Sequence, residues 1–346
     1  MEMGKSEKMK CSIIILNWNG AQMLRTYLPS VIAHTTLPDC EIIVADNGST
    51  DDSIDILAKE FPAIRTIVLD KNYGFAEGYN RAIAQVDSTY IVLLNSDVEV
   101  TEGWLAPLLD YLDTHPEVAA VQPKIRSWKN KAFFEHAGAA GGYLSRLGYP
   151  YCRGRRFGRV EQDKGQYDTI AEIDWTTGAA MCVRRDTYEV CGGLDAAFFA
   201  HMEEIDLCWR MRNKGWYLAC IPQSTVYHLG GGALSYDNPR KTFLNFRNNL
   251  LMLHKNLPDG RRTSVLATRY FLDYLAALQM LLSGKRKEAL AVVRARFEYS
   301  RMRHEYGDIR RENMQAATVN KIAEQRPRCL LWKYYVKRVR KYSDLK

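Results

Sequence analysis

The segment SIIILNWNG (residues 12–20) decides the fold. Residues 13–16 form an apolar run that stops abruptly at Asn17, Trp18, Asn19 and Gly20. Such a run reads as a buried parallel strand, followed by a loop that carries polar groups past its C-terminal end. Downstream the same unit recurs. A helical stretch at 21–34 leads to a second strand at 41–45, which ends in Asp46-Asn47-Gly48-Ser49-Thr50-Asp51, and Ser49 or Thr50 is placed to cap a helix at 52–61. Residues 64–69 supply a third strand, a helix carrying Asn80 follows, and a fourth strand at 90–94 stops at Asn95-Ser96-Asp97.

Four strand–helix alternations predict an α/β fold built on a doubly wound, mostly parallel sheet flanked by helices. Ligands of such sheets bind beyond the carboxyl ends of the strands. The three polar clusters (17–19, 46–51 and 95–97) all fall at those ends, so they are expected to converge on one site. Further on, the pattern predicts a helix at 104–114 and strands near 119–122 and 179–184. The Gly/Arg-rich stretch 138–159 reads as a mobile loop or irregular hairpin with no fixed structure. Beyond Pro239 the chain turns helical, with an apolar and aromatic pattern through 270–282 that includes Asp273 and follows Arg269. Those charges favour an amphipathic helix over a spanning one.

Charge divides the chain unequally. Residues 1–240 hold 24 Lys and Arg against 31 Asp and Glu, net −7, whereas residues 241–346 hold 24 against 9, net +15. A nucleic-acid-binding body would carry its basic excess along its own groove, so nucleic acid is not an expected partner. A basic helical tail suits an anionic membrane surface, or packs on the body or forms a homodimer. With 47% hydrophobic and 25% charged residues in a chain of 346, the composition is that of a globular protein with one large domain plus additions, or two units. The eight cysteines form no CxxC pair and read as reduced thiols, and the N-terminal apolar run is too short for a signal sequence. A cytoplasmic protein, peripheral at the inner face of the cell membrane, is the expectation. No GxGxxG follows the first strand and no complete Walker motif occurs, which leaves a sheet that grips its nucleotide by carboxylates and amides.

Seven segments carry a family resemblance: SIIILNWNG (12–20), VADNGSTDDS (44–53), NYGFAEGYN (72–80), LLNSDVEV (93–100), TTGAAMCVRR (176–185), HMEEIDLCWRMRNKGW (201–216) and YHLGGGALS (227–235). Each alone is weak, but in this order over roughly 10–250 they resemble glycosyltransferase family 2, and most of all its bacterial rhamnosyltransferase-like branch. The resemblance implies a GT-A-like nucleotide-sugar-binding and catalytic domain over 1–250 and a helical basic region over 251–346. It also implies an inverting transfer of a sugar, rhamnose favoured, from a dTDP- or UDP-sugar donor. The acceptor would be a hydroxyl of a glycan or lipid-linked glycan in cell-surface polysaccharide synthesis. Galactofuranose, N-acetylglucosamine and glucose are rivals within the class. A noncatalytic nucleotide-sugar-binding scaffold with a membrane- or polyanion-binding tail is the rival outside it.

Chemistry gives the residue types their meaning. A departing nucleoside diphosphate develops charge that Mg²⁺ or Mn²⁺ neutralises, and a hard cation takes oxygen ligands. By resemblance, Asn95-Ser96-Asp97 stands at the family's DxD position, with Asn in place of the first Asp, and His228 matches a histidine that completes the metal site; a satisfied core histidine is the plainer alternative. Asp46 resembles the aspartate that accepts the N3–H of uracil or thymine, although DNGS is also a natural Asx-turn. Asn17 and Asn19 match the lining of the base and ribose pocket, and Asn72, Gly74, Gly78 and Asn80 the segment beside the nucleotide. Trp175, Thr177 and Gly178 match the sugar and acceptor region, where Trp175 is either a stacking platform or core. Lys241 and Arg247 are placed to reach the pyrophosphate. In EEIDLCWR the family's catalytic base corresponds to Glu204, with Glu203 its close competitor. Asp206 and Arg210 are spaced for an i, i+4 pair.

Overall fold

The computed structural model describes residues 8–230, 238–318 and 330–345. The four alternations are present as β1 (Met9–Asn17), α1 (Ala21–His34), β2 (Cys40–Asp46), α2 (Ser53–Glu60), β3 (Arg65–Val68), α3 (Gly74–Ile83) and β4 (Ser88–Asn95). After them come β5 (Val98–Val100), α4 (Ala106–Thr114) and β6 (Val118–Ser127). Neither Ser49 nor Thr50 caps α2. Asp51 does the work of that turn instead, accepting from the Ser53 amide and hydroxyl through Oδ1 and from the Ala21 amide at the start of α1 through Oδ2.

Within the Gly/Arg-rich stretch and just past it lie β7 (Gly142–Leu144), β8 (Pro150–Cys152), β9 (Arg155–Arg156) and β10 (Arg159–Val160), a small antiparallel sheet. Of the two expectations, a mobile loop or an irregular hairpin, the structure shows the second, with fixed strands where none was assigned. Its glycines and arginines fooled pattern reading because the arginines are structural: Arg153 is buried and donates to the carbonyls of Ala140, Tyr167 and Thr169. The chain then returns through β11 (Ala171–Glu172), β12 (Ala180–Arg184), α5 (Arg185–Val190), α6 (Glu203–Asn213) and β13 (Tyr217–His228), and ends in α7 (Pro239–Asn256), α8 (Asp259–Leu282), α9 (Arg286–Met302) and α10 (Gly307–Gln315).

The main sheet runs β11-β13-β6-β12-β4-β1-β2-β3, with β5 added on β13. Strands β3, β2, β1 and β4 are parallel, and register places Asn17 beside Asp46 and Leu16 beside Asn95. The polar clusters therefore share one edge. Antiparallel β12 inserts between β4 and β6 and brings the residues just before it to that same edge, where the Asn95 amide donates to the Ala179 carbonyl at 3.0 Å. Strand β13 runs parallel to β6 and delivers His228 at its end, opposite Val98 of β5. Both faces of the sheet are covered, and Ile13, Ile14, Ile43, Val92 and Leu93 are fully buried.

The expected domain boundary at 250 falls inside α7, and the physical reason is a buried polar junction. Lys255 of α7 reaches Asp206 of α6 at 2.9 Å and Asp195 at 2.7 Å, while Asn256 donates to the other Asp206 oxygen at 2.7 Å. Asp206 also takes the predicted pair with Arg210, at 3.0 Å. Breaking one partner of such a buried set typically costs about 3–5 kcal/mol. Helix α7 thus belongs to the α/β body, and α8 and α9 pack on it.

Candidate active site

The floor of the site is built by the first two strand ends. Asp46 is buried; its Oδ1 accepts from the Ser49 amide at 2.9 Å, which is the Asx-turn, and its Oδ2 accepts from Asn17 Nδ2 at 3.0 Å. The carboxylate keeps lone pairs beyond these two bonds. Asn19, in the left-handed region at φ 48°, accepts from the Thr50 amide at 2.7 Å, and its own amide donates to Ser49 Oγ. Its side chain ties two loops together, whereas the resemblance gave it to the base and ribose. Asn47 does similar work one loop further on: it donates to Asn72 Oδ1 and the Gly74 carbonyl and accepts from the Tyr73 amide. Gly78 lies where a Cβ would press on Asn47 Nδ2 and Leu16 at 3.0 Å, so α3 can sit close on the strand.

Asn80 is corrected outright. Its Nδ2 donates to the Leu194 carbonyl at 2.8 Å, and its Oδ1 accepts from the Tyr188 hydroxyl at 2.6 Å and the Leu194 amide at 3.1 Å. Its side chain forms a strut from α3 to α5 and the segment after it, with a further contact to Glu77 of its own helix. Trp175 is likewise core. It is 3% exposed, its indole lies on Gly142, and its Nε1 donates to the Tyr143 carbonyl at 3.0 Å. Neighbouring Thr177 is buried, held by Gln122 Oε1 at 3.0 Å.

At the fourth strand end, Asp97 and His228 meet. His228 Nε2 is 3.0 Å from Asp97 Oδ1 and 3.5 Å from Asn95 Nδ2, and its Nδ1 is 3.3 Å from Glu135 Oε2. Burial by itself would lower the His228 pKa, but Asp97 and Glu135 outweigh it and raise it to about 10. Burial likewise pushes Glu135 up, and His228 with the Ala137 amide reverses that, to about 2. Glu135 was missed by sequence reasoning; its only signal is an acid–histidine pair, Glu135-His136, directly after two phenylalanines. Ser96 lies partly exposed between Asn95 and Asp97. The glycines that follow Gly230 lie outside the described residues.

The fourth wall is the N-terminus of α6. A run of strained residues precedes it, Phe199 at φ 64°, His201 at 70° and Met202 at 73°. Strain of this kind persists only where the surroundings fix it. Here Asn248 Nδ2 holds the carbonyls of Phe198, Ala200 and His201 at 2.7–2.9 Å, and Arg247 donates through Nη2 to those of Ala197 and Phe198 and through Nε to Asn248. Arg247 is a clamp on this loop, with Nε and Nη2 committed, which departs from the pyrophosphate role expected of it. Lys241 lies near enough to Glu135, His136 and His201 for their charges to act on one another. The Phe199 carbonyl in turn accepts from the Phe75 and Ala76 amides at the start of α3, where Gly74, at φ 78°, leaves no room for a Cβ against Phe199.

Glu203 and Glu204 separate at this point. Glu203 is buried, and burial, with the charges of Glu204 and Asp206, pushes its carboxyl well above the usual range. Glu204 is partly exposed, lies across from Gly178, where a Cβ would sit 3.8 Å from that of Glu204, and burial raises its pKa to about 7. Its Oε2 makes no hydrogen bond among the described residues. A carboxylate poised near neutrality with a free oxygen has the properties of a general base.

The model of the family Glycosyl transferase family 2 matches residues 12–172. Over 236 residues the chain is 25% identical to the N-acetylglucosaminyl-diphospho-decaprenol L-rhamnosyltransferase of Mycobacterium tuberculosis, covering 62% of this chain and 75% of that protein. It is 21% identical over 261 residues to the dTDP-rhamnosyl transferase RfbF of Shigella flexneri, covering 70% and 82%. Among solved structures it superposes on GalNAc-T7, determined with UDP, GalNAc and Mn²⁺, at a TM-score of 0.59 and 16% identity, covering 82% of this chain but only 55% of that one. The chain is a glycosyltransferase of the GT-A fold; its residues 12–172 match glycosyltransferase family 2, and the relatives it is similar to include rhamnosyltransferases.

Proposed function

We propose that the protein is an inverting enzyme that transfers rhamnose from a dTDP- or UDP-sugar to a hydroxyl of a glycan or lipid-linked glycan during cell-surface polysaccharide synthesis. The observation that carries this reading is Glu204, a carboxylate with an unpartnered oxygen and a pKa near 7 in the first turn of α6, across from Gly178 and so next to Ala179, whose carbonyl takes the amide of Asn95 at the strand end that bears Asp97. The acceptor hydroxyl gives its proton to Glu204 as its oxygen bonds to the anomeric carbon. The bond from that carbon to the diphosphate breaks in the same displacement, and its electron pair leaves with the nucleoside diphosphate. A single displacement inverts the anomeric centre. Asp46, with its remaining lone pairs, supports a pyrimidine imide as the base, and an Mn²⁺-bound fold neighbour supports a divalent cation.

The residues present fit such a cation. Asp97 offers carboxylate oxygens and His228 a ring nitrogen that converges on them, a bound cation would have to displace the Nε2 proton that Asp97 holds there in its absence, and the diphosphate would complete the shell. The mixed donor set favours Mn²⁺ over Mg²⁺, and the cation would supply charge to the leaving group. We place the protein in the cytoplasm, where nucleotide sugars are available, and the free thiols of the seven described cysteines support that. A panel of nucleotide sugars, assayed for nucleoside diphosphate release with and without glycan acceptor, tests the reading. Release from dTDP- or UDP-rhamnose that needs both acceptor and Mn²⁺ supports it; binding without turnover across the panel points to a noncatalytic scaffold.

A further inference from the structure

Helix α8 has two unlike faces. Its inner face is tied to the body by charge: Arg269 Nε lies 3.1 Å from Asp273 Oδ1, Asp273 Oδ2 lies 2.6 Å from Arg296 of α9, and Arg269 also donates to the Leu147 carbonyl and to Asn249 of α7. Its outer face is apolar and uncovered, with Phe271 73% exposed and Leu275, Leu278 and Leu282 continuing the stripe at helical spacing. Helix α9 extends that surface through Leu290 and Phe297, and Lys285 of the turn between the helices is followed by Arg286 and Lys287 at the start of α9. Between α8, α9 and the end of α7 opens a cleft of about 900 Å³, lined by Tyr270, Tyr274 and Phe297 together with Arg262, Arg303 and His304. Among the described residues, neither Arg262 nor Arg303 forms an ion pair. The positive field is felt inside the cleft, where burial and the neighbouring Arg262, Arg310, Arg303 and His304 lower His254 to about 4.

We propose that α8 and α9 form a monotopic docking surface for an anionic bilayer, in which the apolar stripe enters the leaflet and the cleft receives the phosphoryl headgroup of an anionic phospholipid. By length and composition α8 is apolar enough to span a bilayer, at about 36 Å. Its buried Arg269–Asp273–Arg296 network fastens it along the body, so it lies in the interface and does not cross. Charge decides between a leaflet and a second copy of the chain. A two-fold contact through this face would set each basic cluster against its own copy, whereas anionic headgroups complement it. Docking of this kind goes beyond the sugar-transfer chemistry and is independent of which sugar moves.

Flotation of the full chain with vesicles of phosphatidylcholine alone, or mixed with phosphatidylglycerol, is the test, at low and high salt. The wild type should float with the mixed vesicles at low salt and lose roughly tenfold in binding at high salt. Phe271→Asp with Leu278→Asp, both at exposed positions, should lose more than about tenfold with an unchanged melting temperature. Arg262→Gln with Arg303→Gln should lose on the order of tenfold on mixed vesicles only. No flotation of the wild type on mixed vesicles overturns the proposal, as does a dimer that Phe271→Asp splits while flotation is unaffected. Thermal stabilisation by dTDP should be the same in all variants. Its absence in a wild type that floats would count against the proposed donor and leave the docking surface standing.

Discussion

His228 Nε2 and Asp97 Oδ1 lie 3.0 Å apart across 131 positions of sequence, and the second ring nitrogen of His228 faces Glu135 at 3.3 Å. If these residues hold the cation, Asp97→Ala should abolish the part of the dTDP-induced thermal shift that requires Mn²⁺, and His228→Ala should weaken it. Glu135 acts on the cation only through the imidazole. Glu135→Gln should therefore lower apparent Mn²⁺ affinity by about 10- to 100-fold while leaving metal-free nucleotide binding in place. An Asp97→Ala protein with the full metal-dependent shift would remove the site from this strand end.

Asn248 should be the support on which the strained loop before α6 depends. Asn248→Leu takes the Asn248 donor from the carbonyls of Ala200 and His201, at a cost of about 1–3 kcal/mol for each one that stays buried and unpaired, while that of Phe198 keeps Arg247 and the Ala200 amide. The expected result is a lower melting temperature, and turnover lowered in enzyme that is still folded at the assay temperature, because Glu204 lies in the first turn of the helix that this loop positions. Unchanged stability and turnover would show that the loop holds itself.

Trp175 separates a sugar platform from a core residue. Trp175→Phe removes the bond to the Tyr143 carbonyl and some volume against Gly142. It should lower stability by about 1–3 kcal/mol, with KM for the donor and acceptor within a few-fold of wild type. A large rise in KM at unchanged stability would restore the platform reading.

Much of the sheet was legible because a buried parallel strand is a continuous apolar run, and of four such runs three ended in a polar cluster. Register alone then brings Asn17 beside Asp46 and Asn95 beside Leu16, so convergence of the clusters follows from the strand pattern. What sequence could not show was how individual amides and arginines spend their hydrogen bonds. Asn80, Asn19 and Arg247 have the residue types of ligands but bond to backbone or side chains that the fold brings from as far as 114 positions away. Glu135 escaped for the converse reason: its partner is supplied by a strand more than ninety positions later, and no local period marks it. The small antiparallel sheet of β7–β10 was hidden by strands of two or three residues, too short to show alternation.

Proton uptake by Glu204 sets an expected pH dependence. A base acts in its ionised form, so turnover should rise with pH and reach half its plateau near the site's pKa of about 7. The sign for stability is opposite. The folded-state value lies above the ordinary 4.5, so the fold favours the protonated carboxyl; that contribution is complete below the unfolded value and is lost as pH rises through about 7. Glu204→Gln should thus raise the melting temperature more at about pH 8 than at about pH 5. An equal effect at both would mean that burial does not hold this carboxyl above its ordinary range.

The central claim is that Glu204 takes the acceptor proton, and acceptor-dependent turnover of Glu204→Gln, measured beside Glu203→Gln with dTDP-rhamnose and Mn²⁺, tests it most directly. Gln keeps the shape of the side chain and removes its basicity. The account predicts a fall of roughly 10²-fold or more for Glu204→Gln, with donor binding unchanged by thermal shift, and a much smaller loss for the buried Glu203→Gln. Near-normal turnover in Glu204→Gln, with or without loss in Glu203→Gln, would contradict it.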